Sequence, residues 1–373
     1  MLNLKEKTQN SKNAKGITLV ALVITIIILL ILATISIQSL TNTGLFQKAN
    51  EAKEKTQNAA ENQAKTLNEY EDELNKYISG TTGEKAEKLS DKVKVGDYVS
   101  YIPDTVSNTD TKYTTLISNL AIYSGSTANT TSTLTQEKDL KWRVLDVQNG
   151  QVRLISEVPT TSTITLSGYN GYNNAVKLLD DACSTLYTNS KLANKVQNLK
   201  IEDITKYMTT QPTLDIATYS PTSKYYSEIL LKENGQILNG TTGTELGLSE
   251  QTEYINQTTN QQVSSWTLKK TYWSKTMNSK DSFTDSEYYK LFINNGNSYP
   301  TYWMASRCVD ANSSNAAFDV HFVNSGDVYA CGLYFSDCRE YSGNFVFRPV
   351  ITLNSNVQVT SGDGTTEQAY AIK

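Results

Sequence analysis

The chain of 373 residues has a single histidine, His321, and four cysteines. That set does not make the paired C-x-x-C spacing of a zinc site. Any triad built on an imidazole has to use His321, and no Gly-x-Ser-x-Gly elbow accompanies it. A P-loop, a dinucleotide fingerprint and an EF-hand loop are also missing. Ser361-Gly362-Asp363-Gly364 has the small and acidic residues of a calcium loop without its ligand spacing, and reads as a flexible turn. The net charge is −4, and no cluster of Lys or Arg follows residue 37. Nucleic acid is therefore not an expected partner, since phosphate contacts need clustered cations. Nothing in the pattern calls for a cofactor.

Long apolar runs are scarce too, with one exception. Residues 17–37 read ITLVALVITIIILLILATISI, 21 positions without a charge. As a helix this run reaches ~31 Å, enough for a hydrocarbon core of ~30 Å. It predicts a transmembrane helix and the lipid bilayer as a partner. The leader before it, residues 1–16, holds Lys5, Lys7, Lys12 and Lys15 against Glu6. Lysines beside a spanning segment stay in the cytoplasm. The expected localisation is a single-pass membrane protein, N-terminus cytoplasmic and C-terminal domain extracellular. A secretory signal would carry a small-residue cleavage site after its apolar core. Here Gln38-Ser39-Leu40 follows, and the small residue, Gly16, comes first.

The order Lys15-Gly16, then Ile17-Thr18-Leu19-Val20, resembles the type IV prepilin N-terminus. The resemblance implies cleavage between Gly16 and Ile17 by a prepilin peptidase, retention of the apolar segment, and methylation of the new Ile17 amine. The family places a glutamate at the fifth mature position; this chain has Ala21. A charge buried in apolar surroundings persists only when paired, so losing that carboxylate weakens packing into a filament. Two readings follow: a minor pilin-like subunit, with other pilin-like subunits as partners, or an anchored surface protein that does not polymerise. A plain anchor with an uncleaved leader is the simpler alternative.

Beyond the apolar run, residues 38–78 are polar, with Leu67, Tyr70, Leu74, Tyr77 and Ile78 at helical spacing. They predict an extended polar helix. Ser79-Gly80-Thr81-Thr82-Gly83 marks a linker over 79–90. The outer domain is expected over 91–360, with 361–373 as a flexible tail. A first strand is read around Val93–Val99 and an exposed insertion over 104–139. A hairpin turns at Asn149-Gly150, because both residues tolerate positive φ. Helices are expected over 172–190, with Asn173 as cap, and over 201–208. Residues 317–323 and 328–335 alternate as strands around Asn324-Ser325-Gly326-Asp327. Residues 345–353 read as one strand, at an edge or bulged at Pro349, which cannot donate to a ladder.

Five segments form a further set: Trp142-Arg143-Val144-Leu145, Gly171-Tyr172-Asn173-Asn174, Ile201-Glu202-Asp203-Ile204, Tyr302-Trp303-Met304-Ala305-Ser306-Arg307 and Phe347-Arg348-Pro349-Val350. Together they resemble an uncharacterised bacterial surface domain related to the C-type-lectin-like and sulfatase-modifying-factor-like folds. The resemblance implies an α+β fold class: a long N-terminal transmembrane helix, then a compact domain with a twisted antiparallel sheet and two helices. The first and last strands meet in such domains. The calcium-site triplets of sugar-binding relatives are absent, and the cysteine spacing gives no match to the oxidising enzymes. No activity carries over, and function does not follow from a fold.

The remaining candidates are residue types in context. Cys308, Cys331 and Cys338 lie close enough in sequence for one disulfide, which an exterior compartment permits. Cys183 reads as a small buried hydrophobe. His321, with Asp319 on the same strand face, is expected to be a surface residue. The pairs Asp180-Asp181 and Glu202-Asp203 read as helix-solubilising charges, the second pair also as favourable charge at a helix N-terminus. Trp142 and Trp303 are expected in the core, whereas Trp266, Tyr272 and Trp273 are the candidate binding surface. The sequence thus points to a non-enzymatic, prepilin-like surface protein or adhesin with a binding head. Its alternative is a non-polymerising surface protein whose head takes a glycan or a protein ligand.

Overall fold

The computed structural model describes residues 87–129, 134–210, 215–219, 266–270, 275–276, 279–294, 296, 299–311, 316–335 and 339–373. The chain divides into Met1–Gly83 and Glu84–Lys373, and every described residue belongs to the second unit. The leader, the apolar segment 17–37, the polar segment 38–78 and most of the 79–90 linker lie outside the described residues.

The expected single antiparallel sheet is replaced by two mixed sheets. The first has seven strands: β1 (Tyr98–Ser100), β2 (Trp142–Gln148), β3 (Gln151–Ser156), β5 (Ala193–Asn198), β13 (Pro349–Leu353), β14 (Val359–Ser361) and β15 (Tyr370–Ile372), in the order β14-β15-β1-β2-β3-β13-β5. The second has six: β4 (Thr163–Ser167), β8 (Lys275–Thr276), β9 (Tyr302–Ala311), β10 (Ala316–Asn324), β11 (Asp327–Phe335) and β12 (Ser342–Val346), in the order β4-β12-β9-β10-β11-β8. Each sheet holds one parallel pair, β1 with β15 and β9 with β12. β6 (Asp215–Tyr219) and β7 (Trp266–Lys270) form a separate pair. No helix among the described residues is long and apolar enough to cross a membrane, and the expected segment 17–37 lies outside them; the expected fold class is corrected in its sheet architecture.

Four α-helices are described: α1 (Thr111–Tyr123), α2 (Gly168–Tyr187), α3 (Ile201–Thr205) and α4 (Ser286–Phe292). The major helix, α2, presents Tyr172, Ala175, Leu178, Leu179, Ala182, Cys183, Leu186 and Tyr187 to the core at spacings of three and four. Each fully buried leucine there contributes about 1.5–3 kcal/mol. The helix starts before Asn173, with Ser167 as N-cap, and neighbouring backbone crowds its first turn. A Cβ on Gly171 would stand 2.9 Å from the Ser124 carbonyl oxygen. α1 packs against α2 and buries Tyr113, Leu116 and Leu120, so the 104–139 segment is partly core rather than an exposed insertion.

The strands separate two apolar clusters. Val144, Leu154, Trp303, Ala305 and Ile351 belong to the cluster that also contains α1 and α2 side chains. Leu145, Ile155, Tyr302, Met304 and Val350 belong to the other, with α3 and α4 side chains. Successive residues point to opposite faces of a strand. Covering both faces therefore turns β2, β3, β9 and β13 into nearly continuous buried runs.

Two boundaries differ from the sequence reading. The single strand expected over 345–353 is two strands in different sheets, and the chain crosses between them at Phe347-Arg348. β13 is an interior strand between β3 and β5. Pro349 is tolerated because it is the first residue of its strand. The 361–373 tail is part of the sheet: Tyr370 is buried and pairs with Val99.

Candidate functional site

The most concentrated chemistry in the described residues is a buried ion network where the β2–β3 hairpin meets α3. Register shifts between Val144 and Asp146, a bulge that re-aims the strand. Arg153 Nε donates to Asp146 Oδ1 at 2.7 Å and Nη2 to Asp146 Oδ2 at 2.6 Å. Its Nη1 reaches Asp203 Oδ1 at 2.5 Å. Asp203 Oδ2 accepts from the Lys200 backbone at 3.0 Å and so closes the start of α3. Tyr207 donates its hydroxyl to Asp146 and stacks on Tyr288 with ring centroids 3.8 Å apart. All three charged side chains are buried.

Burial alone would raise the Asp146 carboxyl, but the bonds from Arg153 and Tyr207 outweigh it and hold the carboxyl below its usual value. Burial works against the Arg153 cation as well; the bonds and charges of Asp146 and Asp203 win and hold it charged. Burial, reinforced by Asp146, pushes the Tyr207 hydroxyl well above its ordinary value. The network is a bidentate pair with a third arm, saturated by its own members, and it fastens the hairpin to α3.

The other quoted motifs resolve the same way. Arg348 is fully buried. It donates to the carbonyl oxygens of Ser156 and Glu157, each at 2.9 Å from Nη2. The rings of Tyr299 and Tyr302 stand 4.6 and 5.4 Å from its guanidinium. Arg307 donates to the Asn173 carbonyl at 2.7 Å, tying β9 to α2. Arg143 bonds the Gly96 carbonyl at 2.9 Å and Glu287 at 3.2 Å. Arg143, Arg307 and Arg348 are thus inward cations fixed by carbonyls, carboxylates or rings.

Asn198 is a junction that sequence reasoning missed. Its Nδ2 donates to the Trp303 carbonyl at 2.9 Å, and its Oδ1 accepts from the Arg348 backbone at 2.8 Å. Its own N–H donates to Asp180 at 2.9 Å. One amide thereby joins both sheets to α2. Asp180 is not a solubilising charge: burial raises its carboxyl, and Lys200 at 3.4 Å only partly offsets that. Asp181 does behave as expected, pairing with Lys177 at 2.9 Å.

His321 is 1 % exposed and Asp319 is 5 %, so neither is a surface residue. The six-stranded sheet is covered on both sides there, which the period-two alternation concealed. Trp142 and Trp303 are core residues, as expected. Cys308 sits opposite Asp319 on β9, and Cys331 opposite Val320 on β11. One strand separates them, a gap of roughly 10 Å, beyond disulfide reach. Cys338, the third candidate, lies outside the described residues, as do Gly16, Ile17, Tyr272 and Trp273. Trp266 opens β7 opposite Tyr219.

Comparisons with protein-family models, with curated proteins and with solved structures return no match for this chain.

Proposed function

We propose that the chain is a membrane-anchored, prepilin-like surface protein whose outer unit is a binding head. It acts as a minor pilin-like subunit or adhesin, with the head outside the cell. The observation that carries this reading is the order of the N-terminus: a lysine-rich leader, then Gly16, then 21 residues without a charge. A peptidase that cuts after Gly16 leaves the apolar segment in place as the anchor, as the prepilin resemblance implies. The inward ion network supports a rigid head, because its charged groups are engaged in fixing the fold.

Ala21 favours the second reading, in which the protein stays at the surface without polymerising. A neighbouring subunit's terminal amine would find no carboxylate there.

Protease added to whole cells tests the location. Digestion of the 84–373 unit, with the apolar anchor segment protected, is the expected outcome; full protection of the chain would overturn it. Shearing filaments from cells that make them then separates the two readings: recovery in the sheared fraction marks a subunit, and retention on the cell marks an anchor.

A further inference from the structure

Tyr207 and Tyr288 come together from two separate elements. Tyr207 follows α3, and Tyr288 lies in the first turn of α4. Their rings are parallel within 10° and their centroids stand 3.8 Å apart. Aromatic pairs usually keep their centroids about 4.5–7 Å apart, so this contact is a close one. Tyr169 and Tyr334, by contrast, meet edge to face at 6.1 Å and 80°. Phe292, one turn along α4, continues the parallel set at 5.9 Å and 12° from Tyr288. Tyr207 is half-buried and Tyr288 is 8 % exposed, so the pair opens to solvent on the Tyr207 side.

A proton acceptor is in place at the hydroxyl end. Tyr207 donates to Asp146, whose carboxylate the bonds from Arg153 hold ionised against the effect of burial. Burial raises the Tyr288 hydroxyl, and the Asp146 charge adds to that, so both phenols end near one carboxylate. A phenol that passes its proton to a bonded base as it loses an electron forms a neutral radical. It thereby avoids an unpaired charge in a half-buried site.

We propose that Tyr207 and Tyr288 form an oxidative cross-linking site, at which a peroxide-driven one-electron oxidant joins the two rings as a dityrosine. Each phenol loses one electron and its hydroxyl proton. The two radicals couple at ring carbons beside the hydroxyls and form one C–C bond. The hydrogens on those two carbons then move to the oxygens and restore both hydroxyls. The net loss is two hydrogen atoms, which reduce one hydrogen peroxide to two waters. A haem peroxidase is the class of catalyst that takes these electrons singly. Stacked rings place carbon over carbon, so coupling needs no encounter between distant parts of the chain. The product ties the segment after α3 to α4, beside the Arg153 network that fastens α3 to the β2–β3 hairpin. Tyr341, at 47 % exposed, meets oxidant more readily, but its ring partner is Phe335.

The test uses the full chain in detergent at low protein concentration. A photoexcited ruthenium tris-bipyridine complex with persulfate supplies the one-electron oxidant, because it works on folded and unfolded protein alike. The light dose is raised until Tyr341 is oxidised, and the monomer fraction is then digested and mapped by mass spectrometry. The expected product is one pair of peptides joined through Tyr207 and Tyr288, two hydrogens lighter than the separate peptides. The folded chain should give at least about tenfold more of it than the chain in urea, since only the fold holds the rings together. Tyr207→Phe and Tyr288→Phe keep the rings and should each abolish the joined pair. The inference falls if the folded monomer carries no link between Tyr207 and Tyr288 at that dose. It falls equally if folded and unfolded chains give the same yield, or if the joined pair persists in either Phe variant.

Discussion

Replacing Arg153 by Met should cost more than any other single change to the ion network. The substitution keeps most of the volume and removes the cation. Three bonds of 2.5 to 2.7 Å are lost, and the carboxylates they served are less than about one-tenth exposed. Asp203 keeps the Lys200 N–H, and Asp146 keeps Tyr207, Gln148 and a distant Lys206 at 3.5 Å. Removing one partner of a buried pair typically costs about 3–5 kcal/mol, because the other charge stays buried without compensation. The melting temperature should fall by about 10 °C. Lys206→Met is the control: that pair is half-exposed on the lysine side and contributes less than about 1 kcal/mol. Urea unfolding of both variants, followed by near-ultraviolet circular dichroism, gives the comparison. Acid adds a second readout. Asp146 is held below its usual value in the folded state, so its contribution is present above the unfolded pKa and fades as pH falls through the folded one. In Arg153→Met that fading should begin at higher pH. An Arg153→Met protein within about 1 kcal/mol of the parent would refute the reasoning, as would equal losses for the two variants.

Other expectations follow from single contacts. Gly125→Ala should cost at least about 3 kcal/mol, since φ is +75° and a Cβ would stand 1.9 Å from the Ser167 carbonyl oxygen. Gly150→Ala, with φ +76° and no atom within 4 Å, should cost only about 1 kcal/mol; similar unfolding midpoints for the two would count against the packing described. His321→Ala, at a buried position, should destabilise by about 2 kcal/mol, and a neutral result would show that the sheet face is open there. The Cys331 thiol is pushed up to about 11, first by burial and then by the Asp319 charge. Its alkylation should therefore be slow at neutral pH and rise about tenfold per pH unit, as peptide mapping after iodoacetamide would show; a rate typical of free thiols would contradict that placement.

Local backbone chemistry was readable where a turn demands it. Asn149 and Gly150 have φ of 49° and 76°, and Ser325 and Gly326 have 47° and 97°, so both hairpins follow from their turn residues. Helix α1 escaped notice because threonine and serine surround its stripe of Tyr113, Leu116 and Leu120. The crossing at Phe347-Arg348 has no signature of its own: a continuous apolar run looks the same whether it stays in one sheet or changes to another. Charge was the least legible feature. Asp180 and Asp181 are adjacent, chemically identical and both half-buried, yet one accepts from the Asn198 backbone and the other pairs with Lys177.

The N-terminal mass of the protein recovered from membranes tests the central proposal most directly. The account predicts a chain that begins at Ile17 and carries one additional methyl group. A full-length chain that begins at Met1 and is recovered from the soluble fraction would contradict it.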